Sequence, residues 1–301
     1  MTKAPKVTVV IPTRNRRQQL LRLIDSLEES SYKDIEIIVV NDGGVDPQIT
    51  NKKVKLISHE ENKGLAFSRT AGGEAARGEY ILFIDDDNVV DKDMLGELVE
   101  CLEREKDLIS VGPLTFYFTN KEKIWFAGSS LNLMTTIPSF RRSFTKNDLS
   151  HTNLLLTDNL HNCFMVRKNE ASKAMWFDPF VFMNGTEFDL FQRMKRKNSK
   201  GYLAVCVDAK SYHDVPEFKK DLLRSLGFEN KRRVYYFQRN RGLHVGRYGT
   251  ILNKLSLFII FYPLFAIVYT LIFLYYRRID YALTHLRATV DGYKLLLSSF
   301  I

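Results

Sequence analysis

Short apolar runs alternate with amphipathic segments through the first 115 residues of the chain. Buried strands are predicted where apolar residues run together, and helices where they recur every three or four positions. The predicted strands cover residues 7–11, 35–40, 54–57, 80–84 and 109–118, and the predicted helices cover residues 16–29, 64–77 and 93–105. This β-α-β alternation predicts an α/β fold with a mostly parallel central sheet.

Polar clusters follow three of these predicted strands at the point where each strand ends. In chain order, the clusters are Pro12-Thr13-Arg14, Asn41-Asp42 and Asp85-Asp86-Asp87. Ligands of open α/β sheets bind beyond the carboxyl ends of the strands. The three clusters therefore predict one polar binding site along a single edge of the sheet.

The acidic triplet has the chemistry of a divalent-cation site. Three adjacent carboxylates repel one another unless a cation neutralises them. Mg²⁺ or Mn²⁺ takes oxygen ligands and commonly keeps coordination positions for substrate phosphates. At an extended strand end, Asp85 and Asp87 would share one side while Asp86 would point away. The triplet thus predicts a Mg²⁺ or Mn²⁺ site that faces a diphosphate, with a solvated acidic loop as the alternative.

A long apolar run distinguishes the C-terminal part of the chain. Residues 255–276 carry no charged side chain and are long enough to cross a bilayer as a helix. Tyr275 and Tyr276 at the end of the run, with two arginines after them, are typical of interfacial anchors. The run predicts a membrane-associated helix. Pro263 leaves a kinked, re-entrant or in-plane insertion open, and a buried hairpin or a dimer helix is the alternative.

Basic residues are concentrated just before this apolar run. The whole chain has a formal net charge of +9. The basic residues of segment 215–254 are Lys219, Lys220, Arg224, Lys231, Arg232, Arg233, Arg239, Arg241, Arg247 and Lys254. Their position predicts contact with anionic lipid at the cell membrane, with the catalytic part on the cytoplasmic side. We therefore divide the chain into a catalytic domain, 1–228, and a juxtamembrane and membrane-associated region, 229–301. Nucleic-acid binding is the disfavoured alternative.

Several function classes are disfavoured by what the sequence lacks. The phosphate-binding P-loop motif and the glycine fingerprint of dinucleotide-binding folds are both absent, which argues against an ATPase or a dehydrogenase. Cys101, Cys163 and Cys206 are an odd and scattered set, in which neither a disulfide framework nor a paired zinc-ligand spacing can be recognised. This cysteine usage favours a reducing compartment.

Four segments occur in an order that resembles a known family. They are VVIPTRNR (9–16), IIVVNDGG (37–44), NKGLAFSRTAGG (62–73) and ILFIDDDN (81–88). This order resembles the inverting family 2 glycosyltransferases, which have the nucleotide-sugar-binding GT-A fold. The likeness is close over the first 115 residues and looser over 185–214. Residues 235–294 resemble the membrane-attached tail of rhamnosyltransferase-like members.

The resemblance implies a role for each matching residue. The residues implied to bind the nucleotide-sugar donor are Pro12, Thr13, Arg14, Asp42, Arg69, Asp85 and Asp86. Those implied to hold the metal are Asp85, Asp87 and His213, with Asp87 favoured as the direct ligand. Asn41 and Thr70 depart from the family pattern, which leaves the base of the nucleotide open among UDP-, dTDP- and GDP-linked donors. As structural alternatives, Asp42 would cap a turn, Arg69 would form a surface ion pair, and His213 would be a structural histidine.

Direct displacement at a sugar carbon needs a carboxylate that takes the proton of the acceptor. Glu187 and Asp189 are the candidates, and the register of the family assigns the role to Glu187. Asp189 would then lie in the first turn of a helix, where it can pair with Arg193 four residues later. If the register of the family is shifted here, Asp189 is the base instead of Glu187. A third possibility is that both acids lie at a helix N-terminus without a catalytic role.

The predicted acceptor is a lipid-linked saccharide, because a chain held at a bilayer meets acceptors of that kind. Arg232, Arg233, Arg239 and Arg241 are expected to receive the phosphate of the lipid. The Gln-x-x-Arg-Trp motif of processive synthases is absent, which favours transfer of a single sugar. The alternatives are a polyprenyl-phosphate monosaccharide synthase, which needs little or no general base, and an inactive nucleotide-sugar-binding scaffold.

Overall fold

The structure is a computed structural model that describes residues 4–217 and 222–300 of the chain. These residues form two units. The first contains residues 4–130, 140–180 and 187–217, and the second contains residues 131–139, 181–186 and 222–300. The division differs from the predicted boundary after residue 228, because the first unit ends at residue 217 and two short internal segments belong to the second.

A ten-stranded mixed sheet forms the centre of the first unit. The strands of the chain are β1 (Val7–Thr13), β2 (Ile35–Asp42), β3 (Val54–His59), β4 (Tyr80–Ile84), β5 (Asn88–Val90), β6 (Leu108–Tyr117), β7 (Asn120–Phe126), β8 (Ser129–Leu131), β9 (Pro138–Phe140), β10 (Leu154–Thr157), β11 (Cys163–Arg167) and β12 (Tyr202–His213). The helices up to residue 197 are α1 (Arg17–Glu28), α2 (Leu65–Ala75), α3 (Met94–Arg104), α4 (Lys168–Lys173) and α5 (Thr186–Lys197).

The strand order of the sheet is β10-β12-β6-β11-β4-β1-β2-β3, with β5 paired to β12 and β7 paired to β6. Strands β4, β1, β2 and β3 run parallel to one another. The helices α1 and α2 supply crossovers of the kind that parallel neighbours require. The expected α/β fold with a mostly parallel central part is therefore confirmed. Strand β11 lies in the middle of the sheet, antiparallel to β4 and β6.

Both faces of the sheet are covered by apolar side chains, because successive residues of a strand point to opposite sides. In β1, Val9 and Ile11 pack with the inner faces of α1 and α3, and Val10 packs on the other face with the side of α2 and α5. Gly72 of α2 lies so close to β1 that a Cβ would come within 2.3 Å of Val10 Cγ1. The predicted helix of small residues thus lies directly on the strand whose end carries the first polar cluster.

The second unit is helical. Its helices are α6 (Leu222–Ser225), α7 (Lys231–Tyr248), α8 (Ile251–Ser256), α9 (Tyr262–Tyr275) and α10 (Ile279–Leu297), with a π-helical turn at Leu257–Phe261 between α8 and α9. Helices α7 and α10 approach closely where Gly242 faces Gly292: a Cβ on Gly242 would lie 2.1 Å from the carbonyl oxygen of Gly292. Helix α10, which follows the predicted apolar run, packs with α7 and α9 in the core of this unit.

The predicted apolar helix of residues 255–276 exists with slightly different ends. Among the described residues, one helix, Ile251–Tyr275, is long and apolar enough to cross a membrane, with a mean hydropathy of 2.5. The π-helical turn lies just before Pro263, which has no N–H and whose ring would collide with the carbonyl group of Ile259 in a regular helix. The helix thus accommodates Pro263 by a π-helical turn, which is wider than an α-helical one, at the place where a kink was expected.

The four arginines predicted to receive a lipid phosphate separate into two pairs. Arg232 and Arg233 are exposed at the start of α7. Arg239 and Arg241 are buried, and their guanidinium groups are bonded within the second unit, to Asn240 Oδ1 at 2.7 Å and to the Thr136 carbonyl at 3.1 Å. The expectation for the buried pair is corrected accordingly. Lys219 and Lys220 of the basic segment lie outside the described residues.

Candidate active site

The acidic triplet lies in a turn between β4 and β5 rather than at an extended strand end. Asn88 N donates to the Asp85 carbonyl at 3.3 Å, and Asp85 N donates to the Asn162 carbonyl at 2.8 Å. In this turn Asp85 and Asp87 are partly exposed and Asp86 is buried. The predicted shared side of Asp85 and Asp87 depended on an extended strand end, and in the turn their carboxylates have different partners.

Asp86 connects the triplet to the end of β1. Its Oδ2 accepts a hydrogen bond of 2.7 Å from Thr13 Oγ1, and Arg16 Nη1 lies 3.2 Å from Oδ1. The same Arg16 nitrogen donates to Asp87 Oδ2 at 2.7 Å. Burial raises the pKa of Asp86 to about 6, although Thr13 and Arg16 act in the opposite direction. Both oxygens of Asp86 are thus engaged within the protein, and its contact with the donor stays a prediction.

Asp87 and His213 form the part of the site with the geometry of a cation-binding pair. Strand β12 brings His213 to the triplet by pairing with β5, and His213 Nε2 lies 3.2 Å from Asp87 Oδ1. Burial alone would raise the pKa of Asp87, but the hydrogen bond and charge of His213, with Arg16, lower it. Adjacent ligands about 2.1 Å from an octahedral ion lie about 3 Å apart, so this pair fits such an ion.

The third predicted metal ligand, Asp85, has a different partner. Its Oδ1 accepts a hydrogen bond of 2.7 Å from Arg69 Nη2. Within the described residues, Asp85, Asp87 and His213 do not bring three ligand atoms within 4.8 Å of one another. The structure therefore places Asp87 and His213 together and directs Asp85 toward Arg69.

Arg69 joins the triplet to the candidate base. It is fully buried in α2, and while Nη2 binds Asp85, its Nη1 donates to Glu187 Oε1 at 2.6 Å. The rings of Phe164 and Phe177 lie 5.6 and 5.4 Å from the guanidinium carbon. A buried guanidinium is stable only when it is paired, and here two carboxylates share it. The predicted alternative of a surface ion pair is wrong, because this pair lies in the interior.

The electrostatics differ between the two carboxylates that share Arg69. Burial alone would raise the pKa of Glu187, but the charge of Arg69, assisted by His161, outweighs burial and lowers the pKa to about 2. For Asp85, burial prevails over Arg69, and the negative charges of Asp87 and Glu187 raise its pKa further. Glu187 is therefore ionised in this arrangement, as a proton acceptor must be, although it is a weak base while Arg69 holds it.

Asp189 has the structural role expected of it if Glu187 is the base. It lies fully buried in the first turn of α5. Its Oδ2 accepts a hydrogen bond from Arg193 Nε at 2.9 Å and lies 2.8 Å from Nη2 in the same ion pair. The predicted pairing four residues along the helix is confirmed. Of the two acids, Glu187 is the one connected to the acidic triplet, through Arg69, so the geometry favours the register that assigns catalysis to Glu187.

Asp42 organises the loop that begins α2. Its Oδ1 accepts from Lys63 N at 2.8 Å, its Oδ2 accepts from Gly64 N at 2.9 Å, and His59 Nδ1 lies 3.2 Å from Oδ1. This is the capping role that was left open as an alternative, although the residues that it caps lie after β3. A contact with the base of a nucleotide stays a prediction. The same holds for Pro12, which is buried in β1, and for Arg14, which is exposed beyond it.

Three further residues belong to the site, although the sequence assigned none of them a role. Arg16 bridges Asp86 and Asp87, His161 adds to the field at Glu187, and Asn162 supplies the carbonyl group that accepts from Asp85 N. Arg16 could have been recognised, since it follows the first polar cluster by two residues. Asn162 has a positive φ of 44°, which asparagine tolerates better than most residues, but no sequence signal connects it to the triplet.

The chain is similar to known proteins over this region. The family model of Glycosyl transferase family 2 matches residues 8–172. The protein EpsH of Bacillus subtilis (strain 168) is 34% identical over 114 residues, which are 36% of this chain and 33% of EpsH. The amylovoran biosynthesis glycosyltransferase AmsB of Erwinia amylovora is 25% identical over 228 residues, or 70% of each chain. The chain thus matches about a third of the length of EpsH.

Two solved structures have a similar fold at low sequence identity. Residues 1–349 of TarS from S. aureus, in complex with UDP-GlcNAc, align with a TM-score of 0.62 and 16% identity over 97% of this chain and 81% of that one. The mannosyltransferase PcManGT from Pyrobaculum calidifontis, in complex with GDP-Man and Mn²⁺, aligns with a TM-score of 0.56 and 16% identity over 98% and 88%. At this identity the likeness shows the fold alone.

Proposed function

This chain belongs to glycosyl transferase family 2, and from that premise we propose that it is a metal-dependent, inverting glycosyltransferase. In this proposal it moves a single sugar from a nucleotide-diphosphate sugar to a lipid-linked glycan at the cytoplasmic side of a membrane. Within the family we place it with the membrane-attached, rhamnosyltransferase-like members. The two solved structures with a similar fold bind UDP-GlcNAc and GDP-Man, which supports a donor of the same class.

The observation that carries the proposal is the buried Arg69, which binds Asp85 and Glu187 at once. A displacement that inverts the sugar needs a carboxylate on the acceptor side and positive charge on the side of the departing diphosphate. Arg69 contacts both parts of the site: Glu187, the candidate base, and Asp85, which belongs to the acidic triplet. If the diphosphate draws Arg69 toward itself, Glu187 loses its strongest partner, and its pKa rises toward the range of a useful base.

Asp87 and His213 are the residues that would hold the divalent cation, with Asp85 beside them. A cation bound there would neutralise the negative charge that develops on the departing diphosphate. Thr13 and Arg16 fix the orientation of the triplet by binding Asp86 and Asp87, so they act as positioning residues rather than as ligands.

One observation favours a second candidate, a polyprenyl-phosphate monosaccharide synthase. Glu187, with its pKa lowered to about 2, is a weak base in the donor-free arrangement. A lipid phosphate is already ionised at neutral pH and needs no strong base to act as the nucleophile. The two candidates differ in the acceptor: a saccharide hydroxyl for the glycosyltransferase and the bare phosphate for the synthase.

The experiment that tests the function is a thermal-shift screen of UDP-, dTDP- and GDP-sugars with Mn²⁺, with Mg²⁺ and with a chelator. We expect one nucleotide sugar to raise the Tm only in the presence of the cation, since a ligand that binds the native state stabilises it. The stabilising donor is then used in transfer assays with polyprenyl-diphosphate saccharides and with bare polyprenyl phosphate. A shift with one donor but no transfer to either acceptor would leave the inactive-scaffold alternative, and no shift with any donor would contradict a nucleotide-sugar donor altogether.

The lipid-linked acceptor is supported by the apolar surface of the second unit. Large apolar side chains of α8, α9, α10 and the π-helical turn are exposed: Ile251, Leu255, Ile259, Ile267, Leu271, Leu283 and Val290. Exposed apolar side chains are normal singly, whereas a group of them along one helical segment is typical of a surface that contacts a membrane or another protein. The exposed Lys231, Arg232 and Arg233 of the same unit supply charge that is complementary to anionic headgroups.

We expect the variant Ile267→Asp/Leu271→Asp to lose most of its binding to vesicles that contain phosphatidylglycerol. Both side chains are 61% exposed, so the change places two charges in hydrocarbon without disturbing the protein core. Vesicle flotation measures the bound fraction. The matched control is Val45→Asp, the same type of change at an apolar residue of the first unit that is 76% exposed. Equal binding of the double variant and the wild type would contradict a membrane role for this helix.

A further inference from the structure

Two cysteines from distant parts of the chain meet on the first unit, away from Arg69 and the acidic triplet. Cys101 lies on α3 and Cys206 lies on β12, and their Sγ atoms are 3.1 Å apart. Both side chains are buried. Nothing in the catalytic arrangement described above uses either thiol.

Carboxylates from the same two elements converge on this pair. Glu97 precedes Cys101 by four residues, so the two share one face of α3. One oxygen of Glu97, one oxygen of Asp208 and the Sγ of Cys206 all lie within 4.8 Å of one another. The four side chains line a cavity of about 320 Å³ that opens to solvent, with Arg104 and His151 at its wall.

Strand β12 is irregular next to Cys206. The register between β12 and β6 shifts between Cys206 and Lys210, which marks a bulge at this point. Bulges are frequent beside functional sites, where they redirect side chains. The thiol of Cys101 donates a hydrogen bond to Cys206 Sγ, and the backbone N–H groups of Ala209 and Asp208 bond to the same sulfur.

We propose that Cys101, Cys206, Glu97 and Asp208 bind a borderline-soft divalent cation of the Zn²⁺ type, at a site separate from the catalytic one. Two sulfur and two oxygen donors suit the four-coordinate preference of Zn²⁺, and thiolates select Zn²⁺ over Mg²⁺ or Ca²⁺. On binding, both thiols lose a proton and each forms a bond to the cation, so two protons are released.

Binding requires an adjustment at Cys101, because its Sγ lies outside the group of three ligand atoms that are within 4.8 Å of one another. With Zn–S bonds of about 2.3 Å, two sulfurs of a tetrahedral site lie about 3.8 Å apart, so the Sγ atoms must separate by about 0.7 Å. Two thiolates and two carboxylates carry four negative charges, of which the divalent cation neutralises two. Arg104 at the wall of the cavity adds one positive charge, which it shares with Glu100. The separation of 105 residues between the cysteines explains why the sequence showed no zinc spacing.

The test uses the full chain, purified under reducing conditions and stripped of metal. We titrate Co²⁺ as a spectroscopic probe and Zn²⁺ in competition with a chromophoric chelator. One equivalent of Co²⁺ is expected to give a thiolate-to-cobalt charge-transfer band in the near ultraviolet. Cys101→Ser and Cys206→Ser are expected to abolish that band and weaken Zn²⁺ binding by about 100-fold, whereas the control Cys163→Ser binds as the wild type does.

Asp208→Asn keeps the proposal testable if the buried serine variants do not fold, because Asp208 is exposed and its replacement leaves the core unchanged. It is expected to weaken Zn²⁺ binding by about 10-fold and to keep the cobalt band. Retention of the band in Asp87→Ala separates this site from the catalytic one. The proposal is overturned if no band forms, if binding is equal in wild type and both serine variants, or if thiol titration finds Cys101 and Cys206 joined in a disulfide under these conditions.

Discussion

Replacing Glu187 by Gln is expected to lower the kcat for sugar transfer by about 10²- to 10⁴-fold, the usual contribution of a general base. Glutamine has nearly the same volume, and its amide oxygen can still accept the hydrogen bond from Arg69 Nη1, but it cannot take a proton. The donor meets the protein through other residues, so its affinity should change by no more than a few fold. Initial-rate kinetics and calorimetric titration of the nucleotide measure the two effects separately.

The matched control is Asp189→Asn, two residues along the same helix. Because Asp189 is fully buried against Arg193, this change should lower the Tm and leave kcat within a few fold of the wild type. If Asp189→Asn abolishes turnover while Glu187→Gln does not, the register is slipped and Asp189 is the base. If Glu187→Gln is active only on bare polyprenyl phosphate, the synthase is the better description of the enzyme.

The pH dependence of the unfolding free energy tests the contact between Arg69 and Glu187 independently of catalysis. The pKa of Glu187 in the folded protein is about 2, below its value of about 4.3 in an unfolded chain. A group with a lowered folded-state pKa stabilises the protein above the unfolded pKa, and that contribution is lost as the pH falls toward 2. The difference in unfolding free energy between wild type and Glu187→Gln should therefore shrink over this interval.

Local patterns predicted much of the central sheet. The strands at 80–84 and the start of β2 are where the apolar runs placed them, because a strand buried on both faces is a continuous apolar run. The convergence of Thr13 with Asp86 follows from β1 and β4 being parallel neighbours whose carboxyl ends meet. The pairing of Asp189 with Arg193 follows from helical spacing alone. These features depend on rules that act within a few residues or between adjacent strands.

Contacts between distant segments were not predictable in the same way. The Arg69–Glu187 pair joins residues 118 positions apart, and Cys101 and Cys206 are 105 positions apart. The periodicity of apolar residues does not predict such pairs, because they depend on the order of all the strands in the sheet. Strand β11 was missed as a central strand for this reason. The packing of α10 against α7 was not predicted either, because it depends on Gly242 and Gly292, which are distant in the sequence and allow the two helices to approach closely.

Removing the cation pair is the second change with a large expected effect. Asp87→Ala and His213→Ala should each lower kcat/KM by about 10³-fold. A bound cation contributes several kcal/mol to stabilising the charge of the transition state, and each 1.4 kcal/mol is a factor of ten. Both variants should also lose the Mn²⁺-dependent rise in Tm with the donor. The control is Asp34→Asn, an exposed aspartate at the opposite edge of the sheet, just before β2.

The combination of the two changes distinguishes a shared cation from two separate roles. If Asp87 Oδ1 and His213 Nε2, 3.2 Å apart, bind the same ion, removing either one removes most of the effect, and Asp87→Ala/His213→Ala should be little worse than each single variant. If His213 only holds the Asp87 carboxylate in place, His213→Asn should recover activity, because an amide can donate the same hydrogen bond. Full activity of the wild type in a chelator would show that the reaction needs no cation, and the two side chains would then serve only to keep the turn after β4 in shape.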